Sequence, residues 1–532
     1  MDAAISIAPI VILIYLMTKR NSMASHVALP LVALLVYGSK LIYFESDPNL
    51  VNATVVEGLL SAWTPILIIG GAILMFKTME ATGSMDVIRS WLDGVSNNRV
   101  AQLMIIGWAF TFLIEGASGF GTPAALAAPI LVGIGFNPLR VAILCLIMNS
   151  VPVSFGAVGT PTWFGLGHLP LTDEQILAIS RNSAITHAVA STFIPLIALL
   201  FVLGWREVRA NLLYIYLAIA GAIVPYVIVA HFSYEFPALV GGMVGLILAI
   251  VLARFGVGLS STDDRAAQRP DALAINKRML AKATFPLWGT VLILVLTRVP
   301  QVGLKALLTD PTPILTLPLG TLAEFKISAA FILILEQIYG TSRQWVFQAL
   351  YVPAIIPFVV VTVSTLLLFR VHWHDARRLF SDTCHRMVQP GIALFGALVL
   401  VNLMMADEKK SMVMEIGNFL AATSGPYWQN MAAYLGALGS FFSGSATISN
   451  LTFGGIQYSI AEQLDLDKTV LLSLQSVGGA MGNMVCINNI VAVCSILGIS
   501  QREGFIIKRT ALPMILYGVA AAIIGQLLIR LM

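Results

Sequence analysis

Long apolar runs, almost free of charge, alternate along this chain with short polar connections. Runs without Asp, Glu, Lys or Arg cover 3–18, 21–39, 58–76, 100–114, 141–167, 183–204, 210–230, 236–253, 283–297, 344–369, 387–406, 416–461, 469–501 and 510–529. One helical crossing of a bilayer needs roughly 20 apolar residues. The runs 141–167, 416–461 and 469–501 therefore predict more than one element each, or a crossing plus a re-entrant piece. The length rule gives about 12 to 14 crossings in all. Inside the most informative stretch, 111–167, small and polar residues break the apolar pattern: Ser118-Gly119-Phe120-Gly121-Thr122-Pro123, then Asn149-Ser150, then Gly156 and Gly159-Thr160-Pro161. Each break frees backbone groups that hydrocarbon cannot solvate, and such groups persist only where protein or a cavity surrounds them. Broken helices of this kind are what a carrier uses to hold a small polar solute at mid-membrane.

Composition sharpens this to an all-α, polytopic membrane protein: 58% of the 532 residues are hydrophobic and only 11% charged, against about a quarter charged in soluble chains. The net charge of +4 matters through its placement. Basic residues gather at Lys19-Arg20, Arg89/Arg99, Arg206/Arg209, Arg254–Lys282, Arg370–Arg386 and Arg502/Lys508/Arg509, and the connections Glu45–Glu57 and His231–Glu235 carry almost none. The positive-inside rule makes the basic loops cytoplasmic and puts both termini outside. The N-terminal stretch, apolar then basic, reads as a retained first span rather than a cleaved leader. Cys145, Cys384, Cys486 and Cys494 show no metal spacing, and three of them lie in apolar runs as small core hydrophobes. No P-loop, nucleotide-binding fingerprint, HExxH or CxxC is present, so an enzyme is not expected and transport runs on an ion gradient or passively. No cofactor beyond a coupling ion is expected, and no nucleic-acid partner; the partners are a small carboxylate solute, the lipid bilayer and, as an open possibility, further copies of the chain.

The broken pattern recurs. Setting Ser118-Gly119 on Ser443-Gly444 also aligns Thr122 with Thr447, and after one residue of slippage Asn149-Ser150-Val151 falls on Gln475-Ser476-Val477. Each copy has a polar break, an apolar return, a polar turn (Asn137–Arg140; Glu462–Lys468), a span and a second break, in Val153–Pro161 and Gly478–Asn489. The chain then divides into a membrane half at 1–253 with its broken unit at 111–167, a cytoplasmic connector at 254–282, and a second half at 283–532 with its unit at 439–490. Two broken-helix units in corresponding positions are the best sequence pointer to a transport site.

Helix N-termini supply positive potential and free N–H groups for a carboxylate. Ser118, Gly119, Gly121, Thr122, Ser443, Gly444, Ser445, Thr447 and Asn450 are candidate substrate-binding residues near such tips, with Asn149, Gln475, Asn483, Asn488 and Asn489 completing the shell. The competing reading for each small residue is close helix packing. Glu115 is the only ionisable residue between Arg99 and Arg140. A carboxylate is costly to keep charged inside a membrane, which suits a proton-coupling group; a purely structural carboxylate at a helix end is the alternative. Glu336 is a second intramembrane candidate, Lys77 and Glu80 read as an interfacial ion pair, His187 as a satisfied interfacial histidine near Arg181, and Lys326 as a snorkelling side chain. His372 and His374 sit in a basic loop better suited to anionic lipid than to metal.

The segment EGASGFGTPAALAAPILVGIGFNPLRVAILCLIMNSVPVSFGAVGTP, residues 115–161, resembles the lactate permease family of bacterial secondary transporters, and the likeness extends over nearly the whole chain. The resemblance implies proton-coupled symport of a short 2-hydroxymonocarboxylate, with L-lactate first and D-lactate or glycolate next, across a bacterial inner membrane. A sodium-coupled carrier of another organic anion is the alternative within transport, and a passive anion channel the alternative outside it. The family pattern Gly-Ser-Asp-Thr-Ser-Ser-Asn at the second break reads Gly444-Ser445-Ala446-Thr447-Ile448-Ser449-Asn450 here, without the acid.

Overall fold

The computed structural model describes residues 2–18, 23–119, 122–260, 276–298, 302–352, 355–407, 411–499 and 502–531. The architecture is helical, as expected for chains that must satisfy every backbone group inside lipid. Seven described helices are long and apolar enough to cross a membrane, or eight if the bent pair Pro138–Met148 and Pro152–Trp163 counts as one. Four more apolar helices are shorter. Long spans are thus fewer than the 12 to 14 that run length predicts, because several runs resolve into short elements. The run 416–461, for example, holds Ala432–Ser443, most of Ala446–Gln463 and part of Met412–Ser424.

Two compact units form, one from Met1–Met85 with Ala281–Phe419, the other from Asp86–Leu280 with Leu420–Met532. The linear division at 254–282 is therefore not the division into units: each unit draws on both halves of the chain. Residues 261–275 of the expected connector lie outside the described residues.

In the first unit, helices Ser25–Ile42 and Pro48–Ser61 pack on the 33-residue helix Trp373–Met405. Small residues permit the approach: a Cβ on Gly58 would lie 2.9 Å from Val399 Cα, and one on Gly396 would lie 2.5 Å from Pro30 N. The basic stretch Arg370–Arg386, expected as a loop, is helical from Trp373 onward. Among the described residues no ion pair joins Lys77 to Glu80.

The same unit carries four strands that were not expected: β1 Pro313–Pro318, β2 Glu324–Ser328, β3 Ile332–Glu336 and β4 Trp345–Gln348, paired antiparallel in that order. The run 344–369 therefore begins in a sheet rather than as a span. Glu336 does not lie in a helical span: it ends β3, with Lys326 Nζ of β2 2.7 Å from its Oε2 and 3.9 Å from Glu324 Oε1. Lys326 thus pairs across the sheet instead of snorkelling. Five-residue strands are too short to cross a bilayer, and short apolar runs do not declare their period.

The second unit holds both broken patterns, and they agree element by element. Thr111–Ser118 ends at Gly119 (φ +61°) before Thr122–Gly133, and Ala432–Ser443 ends at Gly444 (φ +75°) before Ala446–Gln463. Positive φ is where glycine is at ease, so each stop is built into the sequence. Next, Asn137 caps Pro138–Met148 and Asp467 caps Lys468–Gly482 through their side-chain oxygens. Each of these helices passes through a 3₁₀ turn, Pro152–Phe155 or Asn483–Val485, into a further helix, Gly156–Trp163 or Ile487–Ile496. The first pair of arms bends by 58°.

Candidate functional site

Both breaks line one narrow pocket within the second unit. It is lined by Glu115, Gly119, Val153, Gly156, Ala157 and Pro161 from the first pattern and by Gly444, Ser445, Ala446, Thr447 and Asn483 from the second. Of the residues expected to bind substrate, Gly119, Gly444, Ser445, Thr447 and Asn483 meet here together with Glu115. Gly121 lies outside the described residues, as do the side chains of Ser118, Thr122 and Asn488.

The remaining candidates do other work. Gln475 spends its amide on Ser449 O, Ser449 Oγ and Asn450 Oδ1 at 3.3, 3.1 and 3.4 Å and accepts from Gln457 Nε2 at 3.2 Å. It fastens helix Lys468–Gly482 to Ala446–Gln463 and does not line the cavity. Asn450 Nδ2 donates to Pro161 O at 2.9 Å, bracing the cavity wall from behind. Ser443 Oγ donates back to Gly439 O at 2.8 Å, as a turn residue does. Asn489 donates to Asn483 Oδ1, so it orients a lining residue. Asn149 follows the last residue of its helix as Asn483 follows that of the other, so these two are the positional partners rather than Asn149 and Gln475.

Glu115 is buried on the last turn of Thr111–Ser118. Asn149 Nδ2 donates to its Oε2 at 3.1 Å, and Asn149 Oδ1 is buried without a partner among the described residues. The other carboxylate oxygen faces Gly156, where a Cβ would sit 2.3 Å from Oε1. Beyond it the backbone turns left-handed through Ala157 (φ +45°), Val158 (φ +57°) and Gly159 (φ +71°). A β-branched residue at positive φ is a costly conformation, held only where the surroundings over-determine it. Such outliers gather at ligand sites.

Opposite, helix Ala446–Gln463 points its N-terminus into the cavity. Ser445 Oγ accepts from Ile448 N at 3.3 Å, and Ser445 N donates to Ser443 Oγ at 3.2 Å. That leaves the N–H groups of Ala446 and Thr447 without a partner among the described hydrogen bonds. Two free donors at the positive end of an 18-residue helix make a carboxylate cradle. Ala446 packs with Val153 and Ala480 as an apolar patch.

His187 lies in the protein interior with both ring nitrogens satisfied. It is fully buried, with Nε2 2.8 Å from Ser154 Oγ and Nδ1 bonded to Tyr517 Oη. Its position on a 19-residue helix that starts at Asp173 places it four turns in, a depth that its helical register carries but its neighbours in sequence do not.

Among known proteins, residues 2–532 match a family profile described as L-lactate permease. The chain is 48% identical over 527 residues to a Haemophilus influenzae protein provisionally named L-lactate permease, covering 99% of this chain and 98% of that relative. It is 26% identical over 485 residues to the glycolate permease of Escherichia coli strain K12, covering 87% and 83% of the two chains. Among solved structures it is similar to the Alcanivorax borkumensis YdaH transporter at 16% identity, with a TM-score of 0.44 over 97% of this chain and 98% of that one.

Proposed function

Because this chain belongs to the L-lactate permease family, we propose that it is a proton-coupled symporter of a short 2-hydroxymonocarboxylate, L-lactate first, in a bacterial inner membrane. The observation that carries this reading is the cavity itself: one buried carboxylate, Glu115, facing the open helix start at Ala446 and Thr447. Among its lining residues no cation is available to balance a second acid, which favours a monocarboxylate. The solute carboxylate accepts from the N–H groups of Ala446 and Thr447. Thr447 and Asn483 offer polar side chains to its hydroxyl, and Val153 and Ala446 an apolar surface to its methyl.

Asn149 serves both protonation states of Glu115. Its Nδ2 donates to the carboxylate at 3.1 Å, and rotation of the amide presents the unpartnered Oδ1 to a carboxylic O–H. A protonated Glu115 with a bound monoanion gives a less costly occluded site for crossing the membrane than two carboxylates would. Glycolate, named for one relative, is the second reading; the apolar Val153–Ala446 wall favours the solute with the extra methyl.

The test is uptake of radiolabelled L-lactate by proteoliposomes under an inward proton gradient without sodium. The expected result is accumulation abolished by a protonophore. Glu115→Gln should lose accumulation and retain counterflow exchange. Unchanged proton-driven uptake by this variant would remove Glu115 from coupling, and preference for a hydroxyl-free monocarboxylate would overturn the substrate assignment.

A further inference from the structure

Outside the proposed coupling chemistry, a fully buried polar cluster of the second unit centres on His187. Its Nε2 stands 2.8 Å from Ser154 Oγ, Ser154 Oγ donates to Ser476 O at 3.1 Å, and Ser476 Oγ donates to Ser154 Oγ at 3.1 Å. Nδ1 bonds to Tyr517 Oη. Ser154 has a single hydroxyl proton, and with that proton on Ser476 O the imidazole must donate through Nε2–H. Tyr517 then donates to Nδ1. This tautomer leaves no donor of the chain idle, giving a directed series from Tyr517 to His187 to Ser154 to Ser476.

Ser154 belongs to the turn Pro152–Phe155 in the first broken pattern, and Ser476 to helix Lys468–Gly482 in the second. The turn is held on its other side as well: Thr162 Oγ1 donates to Ser154 O at 2.8 Å across the break, and Tyr226 Oη donates to Val151 O at 3.3 Å. The residues on either side of Ser154 and its turn, Val153 and Gly156, line the cavity. We propose that His187 is a positioning residue for the transport site: through Ser154 it fixes the turn that forms one cavity wall and locks that wall to the second pattern at Ser476. The proposal rests on the cavity being the substrate site.

The experiment measures KM and Vmax of L-lactate uptake in proteoliposomes with equal amounts of the full-length variants, alongside ¹⁵N-histidine spectra of the protein in nanodiscs. His187→Phe and Ser154→Ala, which remove two and three of these hydrogen bonds, should each raise KM about tenfold as the wall they hold loosens, with Vmax near the wild-type value. His187→Gln, whose amide donates and accepts, should recover most of the affinity. His187→Phe combined with Ser476→Ala should lose less than the sum of the two single changes, since both act through Ser154. Additive losses, a Gln variant no better than Phe, or lower Vmax at unchanged KM would overturn the proposal. The spectra decide it where the wild type transports no lactate. A His187 signal, assigned by its loss in His187→Gln, should show protonated Nε2 and respond to Ser154→Ala and to Tyr517→Phe; protonated Nδ1, or indifference to both changes, would sink the arrangement without reference to substrate.

Discussion

At the scale of single residues the site is governed by how little room surrounds Glu115. Gly156 is there because any Cβ would stand 2.3 Å from the carboxylate oxygen, inside contact distance of a side chain already fixed by Asn149. Overpacking a close-fitted interior costs about 1–3 kcal/mol. Gly156→Ala is therefore expected to lower lactate uptake by about ten- to hundredfold if Glu115 is displaced. The distinguishing measurement is second-site rescue. Glu115→Asp draws the carboxylate back by one methylene, so the double variant should transport better than Gly156→Ala alone. A double variant that is worse would mean that the glycine serves the left-handed backbone beyond it and not the acid.

At the scale of elements the two patterns use the same devices for different ends, and their helix caps separate these. Asp467 accepts from Val470 N at 3.0 Å at the start of Lys468–Gly482, away from the cavity lining. Ser445 caps Ala446–Gln463 at the cavity itself. Removing either cap is expected to cost about 1 kcal/mol of stability. Only Ser445→Ala should also raise KM for lactate, because it frees the Ile448 N–H and loosens the cradle; Asp467→Ala should lower the melting temperature and leave KM unchanged. Matching KM changes in both would deny the helix start at Ala446 a role in binding. The breaks were legible in the sequence because Ser-Gly at 118–119 and 443–444 and the polar turns Asn137–Arg140 and Glu462–Lys468 act locally; that Asn137 and Asp467 in those turns cap helices emerged from the structure. The Asn149–Gln475 correspondence went astray because residue identity does not carry helix length, which decides which polar residue ends up beside the break. The sheet was hidden by its short apolar strands, and His187 by partners 33 and 330 residues away in the chain. Ala446 was legible as a departure from the family pattern, and its apolar packing with Val153 and Ala480 emerged only in three dimensions.

At the scale of the whole molecule the decisive quantity is the charge carried per cycle. The cavity lining holds one ionisable side chain among the described residues. If that carboxylate binds one proton for each monoanion, the two charges cancel and the cycle moves none across the bilayer. Moving one elementary charge through 100 mV is worth about 2.3 kcal/mol, so an uncompensated charge would make transport steeply sensitive to voltage. Uptake under a proton gradient is accordingly expected to keep its initial rate when a potassium diffusion potential of either sign is imposed with valinomycin. Collapsing the proton gradient at constant potential should abolish accumulation. A rate that rises with inside-negative potential would require a second coupling ion, and the single acid at Glu115 would then not account for the energetics of the carrier.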